Sequence, residues 1–469
     1  MEKYNPKNFP NVDYIIHCFG KKAPAYTGFI ASNEFNLYIN RHEPLQDLLV
    51  TKNKFIDRHP IAQKILKKVL GDSILFMKSN DLWAQKRKIL SVSLYKQKLI
   101  QMVETMKQIA LETNQEWQQR GQIDIVKEIS NMMMKNVLAC LFGRQNENPI
   151  VQYKENGKII EINLGVSLMK SISRGFEREL QLHNLLFPEL IDFYFTQFDK
   201  ELEFNMKQVA NYVQKVIDDK RKLISEGTDL NTEDLLGLLL HDQLFQRNDK
   251  MIIDECLGLL AAGSQTVAVS ITNFLCFISL NKGSELKLKQ ELCSNLKNFG
   301  GDLKALTSEL SMEKVEDLEY FKNCYYETLR LENPIPVSSS CSLNEDQEIN
   351  GLKIQKDDMI IINIHQIHHN SDQWIEDEKY IPERFDRSSK YYLTPAGQPR
   401  HPMTFIPFSA GKRACLGRTF TDYAFKVIVP LLLSGNKFEF VDPEHLIKKP
   451  QYDSFMFKKP VIEMKVLKQ

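Results

Sequence analysis

Charge of one sign is what this sequence lacks: 61 Lys and Arg stand against 60 Asp and Glu in 469 residues, a net charge of +1. Such a balance builds no basic field for a polyanion, so nucleic acid is left out as a partner. Paired cysteines are missing too. Cys18, Cys140, Cys256, Cys276, Cys293, Cys324, Cys341 and Cys415 are scattered, and none forms a CxxC pair or a CxxCH motif. A chain this long, 43% hydrophobic, buries a large core without disulfide staples, which points to a reducing compartment. Long apolar runs are scarce. None reaches the roughly 18–20 residues needed to cross a bilayer, and the longer ones, such as Val427 to Leu433, are core-sized. The opening residues, Met1 to Phe9, are polar and carry no signal-peptide run. Repeats, low-complexity tracts and Ser/Gly-rich linkers are absent as well.

What is present reads as mainly α with minor β. Tyr26 to Ile30 and Glu34 to Ile39 alternate as short strands within a mixed region, 1–60. From 61 to 336 helical periodicity dominates, with helices expected at Asn80 to Leu94, Gln97 to Trp117, Ile123 to Phe142 and Lys200 to Ser225. Thr232, with Glu233 and Asp234 after it, predicts a capped short helix. A long helix from about Lys250 to Leu280 is nearly apolar on all sides in its middle, the mark of a buried element. From 337 to 469 come short strands (Gln347 to Leu352, Met359 to Ile364), a helix after Cys415 and final strands. One large domain is expected.

Four motifs carry chemistry. Phe408-Ser-Ala-Gly411-Lys-Arg413-Ala-Cys415-Leu-Gly417 places a cysteine among turn-forming glycines, just before a helix whose N-terminal dipole favours a thiolate. Glu327 and Arg330 share one helix face, and Pro382-Glu-Arg384-Phe385 offers a second arginine. Trp83 and Arg87 sit one turn apart, two donors that do not titrate near neutral pH. Ala262-Gly263-Ser264-Gln265-Thr266 interrupts the apolar helix with small and polar residues.

Together these resemble the cytochrome P450 superfamily, in its eukaryotic microsomal form: the loop matches FxxGxRxCxG, others match ExxR, PERF and WxxxR, and Ala262 to Thr266 resembles AGx(D/E)T at all but one position, in the family's order. The matched segments run from Trp83 to Gly417. The resemblance implies the P450 fold, with non-covalent haem b between the long central helix and the cysteine-loop helix, and Cys415 as the metal ligand. It implies contacts to the cofactor from Trp83, Arg87, Ala262, His368, Phe408, Gly411, Arg413 and Gly417, His368 serving a propionate as a histidine before a tryptophan does in relatives. Glu327, Arg330 and Arg384 become a buried structural triad. Thr266 and Gln265 become the catalytic residues, Thr266 relaying protons over the iron and Gln265 orienting water.

Two positions depart from the family. Gln265 stands where an acid is usual, and an amide cannot ionise. Ser338 and the serines after it stand where many relatives carry a propionate-binding arginine. The expected reaction is insertion of one oxygen atom from O2 into a hydrophobic substrate, with electrons from a separate NADPH-dependent P450 reductase. That partner would dock on Lys86, Lys88, Lys412, Arg418 and Lys426. Gln265 leaves open a haem-thiolate isomerase, dehydratase or peroxygenase, and a non-enzymatic haem-binding sensor is a further alternative. Substrate-lining candidates are Leu75 to Met77, Ala261, Ala262, Ile335, Val337 and Phe455. Endoplasmic-reticulum association is implied by the resemblance alone. Residue 1 falls about where a microsomal member's catalytic domain begins, and the sequence carries no transmembrane anchor. Leu185-Leu186-Phe187-Pro188 and Phe193 to Phe195 would form a peripheral membrane contact or pack around an access channel.

Overall fold

The computed structural model describes residues 24–31, 34–94, 96–179, 196–227, 234–442 and 461–468. They fall into two compact units: Met1–Ile56, Met106–Met132 and Thr266–Gln469 in one, Asp57–Thr105 and Met133–Gln265 in the other. Three helices, Lys96–Arg120, Ile125–Phe142 and Asp249–Leu280, continue from one unit into the other. Four helices carry the motifs: α1 (Asp81–Ser93), α2 (Asp249–Leu280), α3 (Glu319–Leu331) and α4 (Arg418–Leu433), which follows the cysteine loop.

In the first unit, strands Tyr26–Ala31 and Glu34–Ile39 form an antiparallel hairpin with Tyr26 opposite Ile39. Met359–Ile362 adds to it in parallel, Met359 opposite Asn36 and Ile362 opposite Ile39. Leu37, Ile39, Ile360 and Leu343 are almost wholly buried in the core of this sheet. Each such side chain stabilises by about 1.5–3 kcal/mol relative to exposure. The strand expected over Gln347 to Leu352 is instead two, Gln347–Ile349 and Leu352–Ile354, because Asn350 and Gly351 both adopt positive φ and turn the chain. Ile364 likewise leaves the strand and opens a one-turn helix, Ile364–His368, capped by the Asn363 side chain.

Aromatic packing joins the helices of this unit. Phe425 of α4 stacks on Tyr325 of α3 at 4.0 Å and meets the edge of Phe274 of α2 at 5.0 Å. From Tyr423 to Leu433 every residue of α4 is buried, so the helix that follows Cys415 is anchored along its length.

The second unit holds α1, whose N-cap Asn80 accepts the Trp83 N–H at 2.8 Å. Its helix Gln197–Ser225 starts with a capping box between Thr196 and Asp199. The short helix Leu235–His241 is capped by Asp234, while Thr232 lies outside the described residues. A hairpin, Ile150–Glu155 with Lys158–Asn163, interrupts the stretch in which helical periodicity dominates and no strand is expected. Asn156 and Gly157, with φ of 50° and 78°, turn it. By length and composition α2 is apolar enough to cross a membrane, but 67% of its most apolar window is buried in the protein, as in a core helix.

Candidate functional site

The loop from Phe408 to Gly417 is closed by its own backbone. The Cys415 N–H donates to the Phe408 carbonyl at 2.9 Å, and the Ala414 N–H donates to that of Gly411 at 3.1 Å. Gly411 has φ of 71°, and a Cβ there would stand 2.0 Å from the Leu49 carbonyl oxygen. Only glycine fits that corner. At Gly417, which caps α4, the nearest atom to an added Cβ is the Cys415 Sγ at 4.0 Å. Cys415 is exposed, and among the described cysteines Cys293 alone shares that state. Cys140 is sealed in, its thiol pushed up to about 12 by burial, and burial pushes Cys256 and Cys324 up as well. An exposed sulfur just before the positive end of a sixteen-residue helix is, among the described cysteines, the one best placed to bind a metal as thiolate.

Behind the loop lies the triad. Glu327 receives Arg330 through two bonds of 2.7 and 2.8 Å and Arg384 Nε at 2.9 Å, with all three residues fully buried. Arg330 also donates to the carbonyls of His368 and Asp377, and Arg384 to those of Ile375 and Glu376. Two buried guanidiniums against one carboxylate are thus satisfied by backbone oxygens, which pins residues 368–379. Asn333, just past α3, donates to the carbonyl of Pro407, the residue before the loop, at 3.2 Å.

His368 is a correction. It is wholly buried, and its Nε2 accepts the Ile406 N–H at 3.0 Å, so the imidazole is a core acceptor rather than a group presented to a propionate. Ser338 has a structural role too, its hydroxyl accepting the Ile362 N–H at 2.9 Å. Val337 is buried and bridges Asn363, and Ile335 is half-buried. Arg413 is half-buried on the loop.

In the second unit Trp83 gives its indole N–H to the Ile74 carbonyl at 3.2 Å, which engages the donor expected to serve the cofactor. The Arg87 guanidinium lies 5.5 Å over the Trp83 ring. Ala262, Gly263 and Gln265 are half-buried on α2, and a Cβ at Gly263 would meet only ordinary contact with Val137, at 3.5 Å. Thr266, one residue further along α2, is also half-buried, and its carbonyl accepts the Ser270 hydroxyl.

Two docking cations are corrected. Lys86 is buried against Glu255 at 2.8 Å, and Lys426 is buried against Glu316 at 2.9 Å. Lys88 and Arg418 are exposed, and Lys412 is half-buried. Sequence reading missed Asp254, Glu255 and Arg400. A pair of adjacent acids inside an apolar helix was the available signal for the first two. Arg400, which stacks at 4.3 Å on Trp374, left none.

An exposed thiol at a helix N-terminus, a glycine beside it at 417, a loop corner that only Gly411 fits and an arginine on the same loop make a donor set that fits a thiolate-ligated haem. The class of protein that uses such a loop is the haem-thiolate oxidoreductases. A family model described as Cytochrome P450 matches residues 9–466, and the chain belongs to that family. It is accordingly a haem-binding monooxygenase of the oxidoreductase class, one that takes electrons from a redox partner and acts on hydrophobic substrates. The chain is similar to cytochrome P450 4F5 of Rattus norvegicus, 26% identical over 79% of this chain and 69% of the relative. Cytochrome P450 4F8 of Homo sapiens is 25% identical over 83% and 73%, and cytochrome P450 709B3 of Arabidopsis thaliana 24% over 95% and 83%.

Proposed function

We propose that Cys415 would hold the iron of non-covalently bound haem b through its thiolate, and that the chain, 1–469, works as one domain inserting an oxygen atom from O2 into a hydrophobic organic substrate. The observation that carries this is the open Cys415 thiol in its glycine-bounded loop ahead of α4. Bound there, haem supplies oxidising chemistry that no side chain offers, and a thiolate ligand favours O–O cleavage.

The chain's own residues do the rest. Cys415 holds the iron, Arg413 and Arg87 bind propionates through charge-assisted hydrogen bonds, and Phe408, Gly411 and Gly417 shape the loop against the ring. Trp83 packs under Arg87. Ala262 leaves room on α2, the Thr266 hydroxyl passes a proton, and the Gln265 amide orients water without ionising. Leu75 to Met77, Ala261 and Ile335 line the substrate, while Phe455 lies outside the described residues. Electrons come from a separate NADPH-dependent reductase that docks on exposed cations such as Lys88 and Arg418. The protein associates with the endoplasmic-reticulum membrane. The apolar segment considered for that contact, 185–195, lies outside the described residues.

The test is a ferrous–CO difference spectrum of the protein and of Cys415→Ala. The long-wavelength Soret band of a thiolate ligand, lost in the variant, is expected. The shorter-wavelength band in folded protein would overturn the ligand assignment. Gln265 favours one second reading, a haem-thiolate peroxygenase or isomerase, and product formation that requires NADPH and a reductase excludes it.

A further inference from the structure

In α2, an otherwise apolar helix, two consecutive carboxylates are buried: Asp254 is 4% exposed and Glu255 is 1% exposed. Such groups persist in a core only with well-made partners. Theirs come from one short segment, Gly71–Ile74, between helix Pro60–Leu70 and α1, and from charged side chains of α1 and α2. Asp254 accepts the Asp72 N–H at 2.9 Å and the Lys250 ammonium at 2.7 Å. Glu255 accepts the Ile74 N–H at 3.2 Å and Lys86 at 2.8 Å, and Lys86 also donates to the Asp72 carbonyl at 2.9 Å. Trp83 closes the remaining Ile74 carbonyl. Both backbone polar groups of Asp72 and of Ile74 therefore end on side chains of α1 and α2.

Shape agrees with charge. A Cβ on Gly258 would stand 2.7 Å from the Ser73 hydroxyl, so this segment lies directly against α2 where the helix has no side chain. Glu255 precedes Ala262 by two helical turns on the same face. Leu75 to Met77 leave the clamped segment immediately after Ile74. Apolar contacts tolerate sliding and repacking, whereas a buried ion pair with fixed backbone partners holds one register.

We propose that Glu255 and Lys86 are positioning residues for substrate selection: they fix the Asp72–Met77 segment against the face of α2 that carries Ala262, and so set which molecules the site admits. This rests on the haem-thiolate reading above. Neither residue touches the reacting atoms, so the cysteine loop keeps its chemistry when they change.

The experiment uses the haem-loaded protein and two nitrogenous iron ligands of different bulk, imidazole and 4-phenylimidazole, titrated by their Soret shift. The variants are Glu255→Gln, which leaves Lys86 buried without its counter-charge, and the double change Lys86→Met with Glu255→Leu, which replaces the pair by apolar groups of similar size and protects against simple failure to fold. In either variant the ferrous–CO band and imidazole affinity are expected to stay within about twofold of the parent, while 4-phenylimidazole affinity shifts by about tenfold or more. An unchanged affinity ratio in folded, haem-loaded double variant overturns the proposal and leaves the pair merely structural. A parent protein with no thiolate ferrous–CO band would overturn the haem reading instead, an outcome visible before any variant is made.

Discussion

The imidazole of His368 and the backbone of Ile406 are joined by a 3.0 Å hydrogen bond across 38 residues of chain, with the ring as acceptor. Arg330 holds the His368 carbonyl at 3.0 Å, so through His368 the triad reaches Ile406, two residues before the cysteine loop. Acceptance at Nε2 requires a neutral ring with its proton on Nδ1. Burial first, then the neighbouring Arg330 charge, holds the His368 pKa down at about 3; the same causes bring His365 down to about 4, and burial holds His369 low as well. The unfolded chain takes up these protons near the ordinary histidine value, before the folded one does. Stability is therefore fully present above about pH 6.5 and is lost as pH falls towards the folded values, by about 1.4 kcal/mol per pH unit for each histidine. Urea unfolding at pH 7.5 and 5.5 should show that loss. His368→Gln should be less stable at neutral pH and have a shallower pH dependence; an equal slope would remove His368 from the account.

Glu327 neutralises two arginines, and its loss is not symmetrical with theirs. Glu327→Gln leaves Arg330 and Arg384 fully buried with no counter-charge, a change worth about 3–5 kcal/mol. The expected outcome is protein that expresses poorly and takes up little haem, read as the Soret-to-protein absorbance ratio. Lys287→Ala, which cuts an exposed pair with Glu383 nearby in the same unit, should change stability by less than about 1 kcal/mol. Comparable losses in both would argue that charge burial is not what holds the triad.

Gly411 and Gly397 separate backbone strain from collision. Both have positive φ, 71° and 73°, but an added Cβ meets the Leu49 carbonyl only at Gly411, and at Gly397 it meets nothing within 4 Å. Gly397→Ala should cost about 1–2 kcal/mol, the price of left-handed backbone alone. Gly411→Ala must in addition move the loop or Leu49. A broadened or short-wavelength ferrous–CO band is expected in that variant only, and identical spectra in the two would show that the loop yields without moving the sulfur.

The loop, the triad and the long helix were legible because their signals are local: a fixed spacing of Gly411, Arg413, Cys415 and Gly417, an i, i+3 pair, and an unbroken apolar run. What escaped depends on partners distant in sequence. Lys86 and Lys426 read as solvated lysines, since nothing beside them shows that Glu255, 169 residues away, and Glu316, 110 residues away, will bury them. His368 read as a cofactor contact because its neighbour Trp374 invited it, whereas Ile406 fixes its role. The hairpin at 150–163 was a different failure: Asn156-Gly157 announced the turn, but isoleucines at 159 and 160 on both faces hid the strand alternation.

Gln265 gives the sharpest functional prediction. It lies half-buried on α2 beside Thr266, where a carboxylate would exchange protons with water and an amide only orients it. If proton delivery limits the reaction, electrons drawn from NADPH escape as peroxide rather than appearing in product. Gln265→Glu is nearly isosteric and adds one titratable oxygen, so it should raise the fraction of consumed NADPH recovered as product, by up to about 10²-fold where proton transfer is rate-limiting. The gain should fade as pH rises through the value at which the new carboxyl loses its proton, and solvent deuterium should slow the parent more than the variant. Product yield that falls, with peroxide unchanged, would mean that the amide at 265 serves the native chemistry as it stands, and would move weight to the peroxide-using reading.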